Sequence, residues 1–122
     1  MKRVLVVDDS STTRALIVAT IEEMEGFETI EAPNGFEALK RIPQQPLDLI
    51  LTDINMPDIN GLELINFVKS NPAYRDIPLI IITTERGEED RKRGMALGAF
   101  DYVTKPFQAN HLRGLVRKAL LL

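Results

Sequence analysis

The sequence predicts an α/β domain in which a single five-stranded parallel sheet is wound on both faces by five helices. Three observations lead there. Short apolar runs without polar alternation recur along the chain, as strands buried on both faces require. Segments of helical spacing separate these runs, the order that a doubly wound parallel sheet needs. The connections are short, and 122 residues leave room for one domain.

Val4-Leu5-Val6-Val7 is the first run, stopped by Asp8-Asp9. A helix over about residues 11–24 carries Ile17, Ile21 and Met24 on one stripe, with Gly26 past its end as a stop. Phe27 to Ala32 is a weaker, mixed run that suits a sheet edge. Asn34-Gly35-Phe36-Glu37 reads as an N-cap with an acid three residues on, opening a helix expected to bury Phe36, Leu39 and Ile42. Pro43-Gln44-Gln45-Pro46 is a connecting loop. Leu47 to Leu51 is the second strong run, halted at Thr52-Asp53, and Leu62, Ile65 and Val68 stripe the next helix, closed by Asn71-Pro72. Leu79 to Ile82 ends at Thr83-Thr84. Residues 88–97 are mostly charged, with Met95, Ala96 and Leu97 as the apolar end and Gly98 as terminator. Phe100 to Thr104 is the other edge-like strand, and Leu112, Leu115, Val116 and Ala119 mark the last helix. There is no internal repeat, linker or low-complexity tract.

Composition narrows the function. Fifteen Lys plus Arg against eighteen Asp plus Glu leave a net charge of −3, which argues against a general nucleic-acid binder. Without cysteine, disulfides, thiolate catalysis and zinc-thiolate sites are excluded, and with His111 as the only histidine so is a multi-histidine metal site. No stretch approaches the roughly 20 apolar residues that span a bilayer. The first apolar run is cut short by acids, unlike a signal peptide, so no membrane contact and a cytoplasmic location are expected.

In open parallel sheets, ligands bind beyond the carboxyl ends of the strands. Asp8 and Asp9 follow the first strand, Asp53 the third, Thr83 the fourth and Lys105 the fifth. Two carboxylates about 5 Å apart repel by roughly 3 kcal/mol at an effective dielectric of about 20. Lys105 is the only nearby cation, so a hard divalent ion with oxygen ligands, Mg²⁺ above all, is the natural missing charge. Taken alone, Asp8-Asp9 serves equally well as a helix cap. The loop from Asp53 to Gly61 joins an acid at a strand end, a proline-fixed turn at Pro57 and a glycine before a helix. Pro57 and Gly61 singly read as ordinary turn chemistry.

Together these residues resemble the receiver domain of bacterial response regulators, particularly the free-standing CheY-like kind. The match rests on Asp8-Asp9, Asp53-x-x-Met56-Pro57-x-x-x-Gly61, Thr83 after an apolar strand, and Lys105-Pro106-Phe107, and it covers essentially residues 1–122. The resemblance implies a flavodoxin-like sheet of strand order 2-1-3-4-5. It implies Asp53 as phosphoacceptor, with Mg²⁺ held by Asp8, Asp9, Asp53 and the backbone carbonyl of Asn55. Thr83 and Lys105 would meet the phosphoryl oxygens, Tyr102 would be the switch aromatic, and Lys105–Pro106 is expected to be cis. Asn55 and Glu85 match the positions that tune dephosphorylation. Thr84 departs from the usual alanine of the family. Without the resemblance, Tyr102 reads as a half-buried aromatic on the sheet edge, and residues 85–93 as a solvated helix face.

The implied function is phospho-accepting signalling, not enzymatic turnover. A sensor histidine kinase or phosphotransfer protein would be the donor. An output protein would bind the face of the fourth helix, fifth strand and fifth helix. The expected state is a monomer, with a phosphorylation-dependent dimer as the alternative. No output domain is expected, since the last helix consumes the remaining residues. The rival class is a Mg²⁺-dependent phosphohydrolase with Asp53 as nucleophile, which wants an aspartate where Asn55 stands. His111, in the first turn of the last helix, makes no catalytic triad because no elbow-like serine motif exists.

Overall fold

The computed structural model describes residues 1–84 and 87–122. In chain order the elements are β1 (Lys2–Val7), α1 (Ser11–Glu22), β2 (Phe27–Ala32), α2 (Gly35–Arg41), a 3-10 turn (Ile42–Gln44) and β3 (Leu49–Asp53). They continue with α3 (Gly61–Ser70), β4 (Leu79–Thr84), α4 (Glu88–Leu97), β5 (Asp101–Lys105) and α5 (Ala109–Ala119). All strands are parallel and lie in the order β2-β1-β3-β4-β5. The predicted sheet, its five helices and its two edge strands are therefore present. Among the described residues no helix is long and apolar enough to cross a membrane.

Strand alternation divides the core in two. Leu5, Val7, Ile50, Leu79 and Ile81 face α2 and α3. Val4, Val6, Leu49, Leu51, Ile80, Ile82 and Val103 face Ile17 and Ile21 of α1 and Leu112 and Val116 of α5. With both faces covered, β3 is buried along its whole length.

Four expectations need correction. Phe36 is 59% exposed; Ala38 and Ile42 carry the burial of that segment instead. Gly35, Ala38 and Ile42 recur at i, i+3 and i+7 as the buried stripe, and Phe36 lies off it. Helix α1 ends at Glu22, and Gly26 sits beyond it, at φ +84 in the turn into β2. In α3, Leu64 joins Ile65 and Val68 in the core, while Leu62 is only half-buried. In α4 the buried residue is Gly94, and Met95 and Leu97 are exposed. A Cβ at Gly94 would overlap Ile81 Cδ1, so glycine is what lets α4 lie on β4. Helix α4 keeps its form by other means. Three acids occupy its first turn, favourable to the helix dipole, and the pairs Glu88–Lys92 and Glu89–Arg93 are spaced i,i+4.

Candidate functional site

The carboxyl ends of β1, β3, β4 and β5 bring polar residues together at one edge of the parallel sheet. Asp8 is wholly buried just past β1. Its Oδ1 accepts the Ser10 N–H at 2.9 Å and its Oδ2 accepts from Lys105 Nζ at 3.0 Å. The cap of α1 is Ser10, whose hydroxyl accepts from Thr13 N–H, so the aspartates are free of that duty. Asp9 is exposed beside it. At the end of β3, Asp53 is 7% exposed. Its Oδ1 accepts from the N–H groups of Ile54 (2.7 Å) and Asn55 (3.3 Å), and its Oδ2 from Lys105 Nζ at 3.1 Å. One carboxylate oxygen from each of Asp8, Asp9 and Asp53 lies within 4.8 Å of the others.

The electrostatics follow from this crowding. Burial raises the Asp53 carboxyl above its ordinary value, and the nearby charge of Asp8 adds to the rise. Lys105 pulls the other way without cancelling it. Burial alone would lower the Lys105 ammonium, but its two carboxylate partners outweigh that and hold it above its ordinary value. Three carboxylates against one ammonium leave the pocket negative. All the donor atoms are hard oxygens, the set that suits a small divalent cation such as Mg²⁺.

The loop after β3 is fixed by close packing. Gly61 N–H donates to the Ile54 carbonyl at 2.8 Å. A Cβ at Gly61 would overlap the Asp53 carbonyl and stand 2.7 Å from Ile54 Cα, so only glycine lets α3 begin against the strand end. Met56 is buried, whereas Asn55, Pro57 and Asp58 are exposed. Asp58 accepts from the N–H groups of Gly35 (3.2 Å) and Phe36 (2.9 Å), tying this loop to the start of α2. What little desolvation Asp58 feels raises its carboxyl, but these backbone donors together hold it below the ordinary value.

The remaining sequence-predicted residues surround this centre. Thr83 is wholly buried at the end of β4, its hydroxyl donating to the Thr84 carbonyl at 3.4 Å. Tyr102 is half-buried on β5, and the Arg91 guanidinium lies 4.3 Å from its ring centre. The Lys105–Pro106 peptide is cis. Glu85 lies outside the described residues. His111 is exposed in the first turn of α5. Sequence reasoning missed Arg14, which donates to the Asp8 carbonyl at 2.7 Å and pairs with Glu31 at 3.0 Å. The one sequence signal was an arginine one turn into the helix that follows the acidic pair.

This arrangement has known relatives. Residues 4–117 match the description "Response regulator receiver domain". The chain belongs to the response regulator receiver domain family. It is 37% identical over 112 residues to the "Chemotaxis protein CheY homolog" of Campylobacter jejuni strain 81-176, covering 91% of this chain and 86% of that one. It is 38% identical over 127 residues to a "Probable transcriptional regulatory protein" of Picosynechococcus sp., covering 95% of this chain but 49% of that protein. The chain thus spans about half the length of that regulator. The solved structure of the chemotaxis response regulator CheY4 of Vibrio cholerae superposes with a TM-score of 0.89 at 33% identity, covering 98% of this chain and 99% of that one. This is a CheY-like receiver domain of two-component signalling.

Proposed function

We propose that the chain, over residues 1–122, is a phospho-accepting switch. The observation that carries this reading is the meeting of Asp8, Asp9 and Asp53 with Lys105 at one strand edge. An Asp53 carboxylate oxygen attacks the phosphorus of a phosphohistidine, on a kinase or phosphotransfer protein, or of a small acyl phosphate. The bond from phosphorus to the donor breaks, and the donor leaves with its electron pair. Backbone donors from Ile54 and Asn55 hold the carboxylate in place for that attack. Lys105, already on the Asp53 carboxylate, is positioned to follow the charge onto the phosphoryl oxygens. Asp8, Asp9, Asp53 and the backbone carbonyl of Asn55 would hold Mg²⁺, which when bound neutralises charge on the transferring group.

Phosphorylation then draws the Thr83 hydroxyl toward the new dianion, and Tyr102 moves into the space it leaves. Output runs through the face of α4, β5 and α5, read by a protein partner. Asn55, exposed two residues beyond Asp53, flanks the water that ends the signal, and Glu85 is proposed for the same duty. The whole protein's output is that of a signalling protein and not of a turnover enzyme.

Phosphate release decides this reading. Incubation with a small acyl phosphate and Mg²⁺ is expected to label each chain once, with no sustained release from a generic phosphomonoester. Multiple turnover of the phosphomonoester would replace the switch with a phosphohydrolase.

A further inference from the structure

The face that α4 turns to the sheet is unusual. Gly87, Arg91 and Gly94 recur at i, i+4 and i+7, so they form one stripe. None of them offers an apolar side chain to the core. A Cβ at Gly87 would overlap Thr83 Oγ1, and one at Gly94 would overlap Ile81 Cδ1. Between them, the Arg91 guanidinium lies over the Tyr102 ring at 4.3 Å from its centre. The Arg91 N–H donates to the Gly87 carbonyl at 2.8 Å, so the two positions move as one turn. Ile81 and Tyr102 are register partners on β4 and β5. The side chains this stripe meets thus include Thr83, Tyr102 and Ile81, the neighbour of Tyr102, with Ile65 of α3 beside Gly94.

We infer that Arg91 is a positioning residue for Tyr102, holding the ring in its resting place by a cation–π stack that activation has to break. This inference rests on the proposed roles of Thr83 and Tyr102. Arg91 is half-buried, and partial desolvation strengthens such a stack. The stripe carries no large apolar side chain, and Arg91 is the residue of it that stacks on Tyr102 of β5. Gly87 complements it by leaving the Thr83 hydroxyl a space away from any phosphoryl group. The hold of the guanidinium on Tyr102 therefore opposes activation, and loss of the guanidinium favours it.

Two measurements on Arg91→Gln test this. In the metal-free protein, the ring proton resonances of Tyr102 are expected to shift and to show faster exchange between rotamers, with Arg91→Lys lying between. With Mg²⁺, affinity for beryllofluoride is expected to rise roughly threefold to tenfold. In a Tyr102→Leu background the same substitution is expected to add nothing. Unchanged Tyr102 resonances would overturn the inference, as would an equal gain in the Tyr102→Leu background. If the parent protein takes up no beryllofluoride, the switch reading fails, while the metal-free resonances still decide the stack.

Discussion

The Lys105 ammonium lies 3.1 Å from the Asp53 carboxylate, across 52 residues of sequence, and shares itself with Asp8 at 3.0 Å. That shared contact is what lets two buried carboxylates stand together. Each carboxylate is penalised by burial and by its neighbour, and one ammonium answers both. With Asp9 beside them the pocket is therefore short of two positive charges, and the protein's stability should report that shortage.

Replacing Lys105 by Ala leaves Asp8 and Asp53 buried without their shared cation. Removing one member of a buried pair typically costs about 3–5 kcal/mol. The Lys105 side chain is 18% exposed, so solvent screening brings the expected loss to roughly 2 kcal/mol. Added Mg²⁺ is expected to restore much of it. Urea unfolding with and without Mg²⁺ checks this, and equal stability of variant and parent without Mg²⁺ would refute it.

Asp53→Asn is expected to be more stable than the parent without metal at neutral pH. The folded Asp53 carboxyl is raised above its ordinary value, so its contribution to stability is present below the unfolded value and lost as pH rises through the folded one. At neutral pH the ionised group is a burden, and asparagine removes it. Thermal scans should show the gap in Tm closing as pH falls toward the ordinary carboxylate range.

Asp58→Ala should behave with the opposite slope. The folded Asp58 carboxyl lies below its ordinary value, so its contribution is present above the unfolded value and lost as pH falls through the folded one. The variant loses the contact that ties the β3–α3 loop to the start of α2, and its Tm is expected to fall at neutral pH. In acid the deficit should vanish. A constant deficit at all pH values would assign the effect to packing.

What could be read in advance was the part governed by local rules. The apolar runs of β1, β3 and β4 are buried on both faces, and Asn34 caps α2 by accepting from Glu37 N–H at 2.8 Å. The acids and Lys105 fell at strand ends, and topology then placed them together. Phe36 was misplaced because the buried stripe runs through the small residues Gly35 and Ala38 to Ile42, and apolar spacing does not single those two out. Gly94 was missed because hydrophobic periodicity cannot see a face built from glycine. Asp58 accepts from backbone groups 23 and 22 residues away, a pairing that no spacing within the chain encodes.

The central claim, that Asp53 is the phosphoacceptor, is tested most directly by intact-protein mass after incubation with a small acyl phosphate and Mg²⁺. The parent is expected to gain the mass of one phosphoryl group and Asp53→Asn to gain none. A parent-like gain in folded Asp53→Asn would contradict the account.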